Sequence, residues 1–128
     1  MHPLYAKADA MSGEIIGAAI EVHRDKGPGL IESIYERCFM HELSLRHLAA
    51  TNQKLIQIQY KDLAFEEPLR FDVLVENKSV ERVLPIHKAQ LFSYMKLLDI
   101  PIGLLINFHE VVLKNGITRL ILPGANLP

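Results

Sequence analysis

An aspartate inside an apolar run constrains this sequence more than any other feature. Asp72 lies in the segment FDVLV, residues 71–75, whose other members are all apolar. Asp is among the residues least favoured in β-strands, and a buried carboxylate costs free energy unless another group pairs with it. The fold must therefore bring a partner to Asp72. That partner is either a basic side chain, such as Arg70 or Arg24, or a cation held jointly with a second acid.

The pattern of apolar residues predicts helices packed against a mixed sheet. Apolar positions recur at helical spacing in residues 12–25 and 30–47, and a third helix begins at Pro85. Ser12 is the predicted N-cap of the first helix. We expect an α/β or α+β fold from this order. The predicted strands are 55–60, 69–75, 102–108 and the arms of a hairpin around Asn115-Gly116, with a turn or short edge segment at 61–68 and a turn at 76–79.

The bulk properties favour a single globular domain. A chain of 128 residues with 49% hydrophobic and 23% charged residues can bury one core. No apolar run is long enough to span a membrane, and the N-terminus lacks the features of a signal peptide. Since Cys38 is the only cysteine, we expect a cytoplasmic protein. The net charge of -1 and pI of 6.6 argue against broad adhesion to nucleic acid, but they allow a local basic patch.

Polar residues at inward-pointing positions suggest a metal site. Glu32 occupies the first position of an apolar helical stripe, and Asp72 lies inside an apolar strand. His87, Gln90 and Tyr94 recur at helical spacing on the third helix. A helix-borne acid, a strand-borne acid and an amide can together bind a hard cation such as Mg²⁺, which prefers oxygen ligands. The stripe that follows Glu32 comprises Tyr35, Phe39 and Leu43.

Each of these residues also has a purely structural interpretation. Glu32 can interact with the positive N-terminal end of its own helix. Asp72 can pair with a nearby arginine instead of a metal ion. Gln90 and Tyr94 can form an ordinary surface pair, since residues four apart on a helix are neighbours. The residues alone leave these alternatives open.

Several motifs in order resemble a known family. Gly29, Glu32 and Tyr35 have the spacing G-x-x-E-x-x-Y, and RFDVLVENK, PIHKAQLFSYMKLL and GLLINF follow. The chain resembles the bacterial GxxExxY family, a branch of the PD-(D/E)xK nuclease superfamily, from about residue 12 to 122. The resemblance implies a restriction-endonuclease-like core and a Mg²⁺ or Mn²⁺ site that hydrolyses phosphodiester bonds in DNA. It also implies that Glu32 and Asp72 hold the metal, with Gln90 and Tyr94 as the Q-x-x-x-Y element and His87 at the family's histidine position.

One part of the family pattern is missing. A central strand carrying E-x-K should follow the aspartate strand, yet about six residues, a usual strand length, are absent before SVERVL at 79–84. Glu76-Asn77-Lys78 spells E-x-K, but we interpret it as a hydrophilic turn. Glu76 would lie about 13 Å from Asp72 along one extended strand, and ligands of one Mg²⁺ must approach within about 2.1 Å of the ion. Glu81 is a substitute if 79–84 extends as a strand.

The missing strand leads to two functional hypotheses. The first is a Mg²⁺-dependent nuclease, impaired or inactive, and the second is a non-catalytic module that binds nucleic acid or protein. The missing strand has four possible explanations. Residues 79–84 can take its place, or the sheet can rearrange without it. Alternatively, a second copy of the chain can complete the sheet in a homodimer, or a segment is omitted from the sequence. DNA is the expected partner. The candidate phosphate contacts are Lys78, Arg82 and Lys88, which can equally be solvated surface residues.

Overall fold

The fold is known from a computed structural model, which describes residues 1–50, 58–65 and 73–128. Within these residues the chain forms helices and strands in an order close to the prediction. None of the helices in this part is long and apolar enough to cross a membrane. The elements are α1 (Tyr5–Lys26), α2 (Glu32–Leu45), β1 (Ile58–Tyr60), β2 (Leu63–Phe65), β3 (Val73–Lys78), α3 (Pro85–Leu98), β4 (Ile102–Asn107), a 3₁₀ helix (Leu113–Gly116) and β5 (Ile117–Ile121).

The first helix begins well before its predicted start. Helix α1 covers 22 residues, and Ser12 lies inside it, buried, with its hydroxyl donating to the Asp9 carbonyl at 2.8 Å. The prediction that Ser12 caps the helix is therefore wrong, because the alanine-rich residues before it are strong helix formers. The predicted end is confirmed. Gly27 has a φ of 71°, and its N–H donates to the His23 carbonyl at 2.8 Å.

Strand β4 is the centre of the sheet that the structure describes. It runs parallel to β3 and antiparallel to β5, and all six of its residues are buried. A strand covered on both faces needs a continuous apolar sequence, so the predicted apolar strand is confirmed. The hairpin predicted around Asn115-Gly116 is wrong. These residues belong to the 3₁₀ helix, and β5 after it pairs with β4 instead.

Helices cover both faces of this mixed sheet. On one face, α1 and α2 pack against Leu104 and Ile106 of β4, and on the other, α3 packs against Leu105. Gly103 allows the close approach of α3, because an added Cβ would lie only 2.5 Å from the sulfur of Met95. The arrangement is an α+β fold consistent with a restriction-endonuclease-like domain, as predicted.

The strands between α2 and β3 form a small separate hairpin. Strands β1 and β2 pair antiparallel, with a turn at Lys61 and Asp62 between them. The edge segment predicted near 61–68 is thus confirmed as far as Phe65. The first part of the strand predicted at 55–60, and the start of the strand predicted at 69–75, lie outside the described residues.

Candidate metal and phosphodiester site

The E-x-K triplet lies on strand β3. The last three residues of β3 are Glu76, Asn77 and Lys78. They pair in order with Leu105, Ile106 and Asn107 of β4. The turn predicted at 76–79 is therefore wrong. The polar composition favours a turn locally, but hydrogen bonding to the buried strand β4 extends β3 through Lys78.

The two charged residues of this triplet share one face of the sheet. Val73 and Val75 pack in the core beneath α1 and α2, whereas Leu74 packs beneath α3. Since successive side chains on a strand alternate between faces, Glu76 and Lys78 lie on the α3 face with Leu74. Their Cα atoms are about 7 Å apart, twice the rise of a strand per residue. A carboxylate and an ammonium are thus placed side by side.

Glu76 carries an unpaired buried oxygen. Its Oε2 atom is buried and has no hydrogen-bond partner among the described residues, and the same holds for Oδ1 of Asn77 on the opposite face. Most buried polar atoms in proteins are hydrogen-bonded, and an unpaired carboxylate oxygen is costly. A hard cation would satisfy this oxygen, because Mg²⁺ prefers carboxylate ligands.

Glu32 reaches the end of the same strand. It is the first residue of α2, and its Oε1 accepts a hydrogen bond from the N–H of Ser79 at 3.2 Å. The hydroxyl of Ser79 donates to the Leu30 carbonyl at 2.6 Å. Two bonds from one residue therefore join the start of α2 to the chain just after Lys78.

The expectation that Glu32 belongs to the buried stripe of α2 is wrong. Its side chain is exposed, whereas Tyr35 is fully buried and Phe39 and Leu43 are nearly so. The reason is that α2 begins at Glu32, so no earlier turn covers it. Its place in the first turn also suits the helix dipole, so the structural interpretation of Glu32 and the metal-binding one remain compatible.

Tyr35 holds the glycine-containing loop between α1 and α2. Its hydroxyl accepts from the Leu30 N–H at 3.0 Å and donates to the Gly27 carbonyl at 2.5 Å. Its ring stacks on Phe108, with centroids 4.6 Å apart. Gly29 has a φ of 94°, a left-handed conformation that favours glycine. The spacing of Gly29 and Tyr35 therefore reflects a loop fastened to the helix that follows it.

The chain after β3 does not form a substitute strand. Residues 79–84 are irregular, so the alternative in which SVERVL fills the gap as a strand is excluded, and Glu81 is exposed. The segment is instead tied to β4 through the buried side chain of Asn107. In the part of the chain that the structure describes, β3 is therefore the only strand between residue 73 and the start of α3.

Comparison with known families fits this arrangement. A model of the PD-(D/E)XK nuclease superfamily matches residues 9–120 of the chain. The chain belongs to this superfamily. The match includes α1 from residue 9 onward and the whole of α2, β3, α3 and β4. Searches of curated proteins and of solved structures gave no significant match.

The other residues that the nuclease pattern assigns to the site are only partly brought together. Asp72 lies outside the described residues, immediately before β3. Gln90 and Tyr94 are exposed on α3, and His87 is half-buried and accepts a hydrogen bond from the Leu84 N–H at 3.0 Å. His87 thus caps its own helix. In the described ranges no group of three or more His, Cys, Asp and Glu side chains could hold a metal ion.

The three basic residues predicted to contact phosphates lie at the end of β3 and in the chain that follows it. Lys78 ends β3 and is half-buried, while Arg82 and Lys88 are exposed. None of these three residues forms an ion pair with another described residue. Lys26, in contrast, pairs with Asp25, and the hydrogen bond to Asp25 raises the pKa of Lys26. Their charges are thus available to an anionic ligand. Sequence reasoning named these lysines and the arginine, but it missed the strand position of Glu76 and Lys78.

Proposed function

We propose that this nuclease-type domain hydrolyses phosphodiester bonds in DNA with Mg²⁺, or Mn²⁺ in its place, and does so weakly. The observation that carries the proposal is the buried, unpaired Oε2 of Glu76 on the strand that also bears Lys78. An acid and a lysine two residues apart on one strand face are what the superfamily pattern requires. The matched superfamily supports a nucleic-acid substrate.

The residues divide the chemistry between them. Glu76 would hold the metal with Glu32, which reaches the end of the same strand, and the bound metal would lower the pKa of a water and offset charge on the phosphate. Lys78 adds a positive charge next to the reacting phosphate, which stabilises the charge that develops during hydrolysis. We expect weak activity because the separate strand that follows the aspartate strand in the family pattern is missing from this sequence.

The test is Mg²⁺-dependent nicking of supercoiled plasmid. We expect nicking by the wild type that EDTA abolishes, and a loss of about a hundredfold or more in Glu76→Gln and Lys78→Gln, as for other electrostatic groups in active sites. Glu81→Gln is the matched control, since Glu81 is an exposed acid three residues beyond Lys78. Equal nicking by wild type and Glu76→Gln would refute the proposal.

A non-catalytic DNA-binding module is the second candidate. It is favoured by the strand of the family pattern that is missing from the sequence and by the exposure of Gln90 and Tyr94. It predicts DNA binding without cleavage. The affinity for DNA falls with salt, and each phosphate contact adds about 0.9 to the steepness of log affinity against log salt concentration. The double change of Arg82 and Lys88 to Gln should therefore make this dependence shallower by about 1.8. Metal-dependent turnover under the controls above would exclude it.

We further infer that the chain lies in the GxxExxY branch of the superfamily. The inference is supported by the joint use of Gly29, Glu32 and Tyr35, since Gly29 lies in the loop that Tyr35 fastens and Glu32 accepts a hydrogen bond from Ser79 just after β3. If the motif acts as one unit, Gly29→Ala should strain the loop and reduce nicking together with Glu32→Gln. Full activity in both variants would contradict the inference.

A further inference from the structure

Asn107 is a buried amide at the end of an otherwise apolar strand. Its side chain is almost fully covered, with 1% of the residue exposed. Its Oδ1 accepts hydrogen bonds from the N–H of Val80 at 3.1 Å and of His109 at 3.2 Å. Its Nδ2 donates to the Val80 carbonyl at 2.8 Å. One side chain therefore pairs both backbone groups of Val80, as a neighbouring strand would.

This pairing continues the sheet beyond its last backbone pair. Lys78 pairs with Asn107 in the parallel ladder, and the Phe108 N–H donates to the Lys78 carbonyl at 2.8 Å. The amide of Asn107 then holds Val80. Ser79 is thus fixed on both sides, by Lys78 before it and Val80 after it.

Ser79 is the residue that contacts Glu32. Its N–H donates to the Glu32 carboxylate, and its hydroxyl donates to the Leu30 carbonyl just before α2. The direction of the Ser79 N–H depends on the backbone conformation that Asn107 maintains. A chain of contacts therefore leads from β4 through Val80 and Ser79 to Glu32.

We propose that Asn107 is a positioning residue for the site, holding Val80 so that Ser79 keeps Glu32 at the end of the Glu76–Lys78 strand. Burying an amide costs free energy unless it is hydrogen-bonded, and here three backbone groups offset that cost. An apolar residue at this position would pack equally well but leave Val80 unpaired. The importance of this arrangement for metal binding rests on the proposed function.

The test compares NMR spectra of the wild type and Asn107→Ala. A hydrogen bond to a carboxylate moves an amide proton downfield, and Glu32→Ala, which has no side-chain acceptor, gives the position of the Ser79 resonance without that bond. We expect Asn107→Ala to move the Ser79 resonance to that position. The Val80 amide should exchange with solvent about tenfold faster, the effect of losing one hydrogen bond. Amides of the β4–β5 ladder, which ends at Ile106, should be unchanged.

Asn107→Asp provides the graded variant. It keeps the acceptor for Val80 but loses the Nδ2 donor, so its Ser79 shift should lie between those of the wild type and Asn107→Ala. If Asn107→Ala does not fold, the same NMR comparison is made with Asn107→Asp in its place. An unmoved Ser79 resonance in a folded Asn107 variant would overturn the proposal.

Titration with Mn²⁺ alone connects this positioning to the site. We expect Asn107→Ala to bind Mn²⁺ about tenfold more weakly than the wild type, as is usual when a group that orients a ligand is removed. Unchanged affinity in a variant whose Ser79 resonance has moved would overturn the link to metal binding. Absence of Mn²⁺ binding by the wild type would refute the proposed function, while the NMR result would still decide whether Asn107 positions Glu32.

Discussion

Replacing Tyr35 by Phe removes one oxygen atom from the centre of the loop that precedes α2. The residue is fully buried, and its ring stacks on Phe108 at an interplanar angle of 11°. Phe occupies the same volume and can keep this stacking. The substitution therefore isolates the two hydrogen bonds by which the hydroxyl joins the Gly27 carbonyl and the Leu30 N–H.

The expected loss of stability follows from these two bonds. Each hydrogen bond contributes about 1 kcal/mol net, so Tyr35→Phe should lower the free energy of unfolding by about 2 kcal/mol. Gly27 and Leu30 are only half-buried, so water can rehydrate their backbone groups, and a larger cost is not expected. Tyr35→Leu should cost about 1 kcal/mol more, because the aromatic pair with Phe108 is lost as well.

Urea denaturation followed by circular dichroism measures this effect. With a slope near 2 kcal/mol per molar urea, the midpoint should fall by about 1 M with the slope unchanged. Tyr5→Phe is the matched control, since Tyr5 is half-buried and its hydroxyl has no hydrogen bond to the described residues. That control should change stability by less than about 0.5 kcal/mol. A midpoint for Tyr35→Phe no lower than for Tyr5→Phe would show that the hydroxyl does not fasten the loop.

Three further substitutions test the packing of the fold. Gly103→Ala would place a Cβ 2.5 Å from the sulfur of Met95, so we expect a loss of about 1–3 kcal/mol in thermal unfolding; an unchanged midpoint would mean that α3 lies farther from β4. Gly116→Ala would collide with a backbone carbonyl of β4, which cannot rotate away as Met95 can, so it should destabilise more than Gly103→Ala, and the reverse order would contradict this packing. Arg46→Ala breaks a partly exposed 2.8 Å ion pair with Glu42 and should cost about 0.5–1 kcal/mol, less in high salt; a cost independent of salt would exclude an ionic contribution.

The parts of the fold set by local signals were predictable from the sequence. Pro85 marks the start of α3, where its missing N–H costs no hydrogen bond, and α3 begins at that residue. The apolar run from Ile102 indicates a strand covered on both faces, and β4 is such a strand. Gly27 ends α1 because it adopts a positive φ that other residues rarely take.

The position of the E-x-K strand depends on non-local pairing, which the sequence does not show directly. Glu76, Asn77 and Lys78 are hydrophilic, and without a partner they would favour a turn. Their pairing with β4 decides the outcome, because hydrogen bonds to a buried strand outweigh a weak local preference. Asn107 gave one available signal, since a polar residue at the end of the apolar strand IGLLIN requires hydrogen-bond partners.

Predictions based on a single capping or turn residue were the least reliable. Ser12 is a favourable N-cap, yet the residues before it continue the helix and leave its hydroxyl bonded to the Asp9 carbonyl. Asn115-Gly116 suits a tight hairpin, yet its neighbours form a 3₁₀ helix and β5 pairs with β4. In both cases a competing element nearby offered more hydrogen bonds than the local motif.

The G-x-x-E-x-x-Y motif combines residues that stabilise the fold with a residue placed for chemistry. Tyr35 is buried and fastens the loop, whereas Glu32 is exposed and contacts the chain beyond β3. Lost activity in Tyr35→Phe can therefore follow from a displaced loop, and it says little about catalysis. Glu32→Gln keeps the volume and exposure of the side chain, so it separates the two roles. Lost nicking at an unchanged urea midpoint would assign Glu32 to the metal site, whereas a parallel loss of stability would assign it to the contact between α2 and β3.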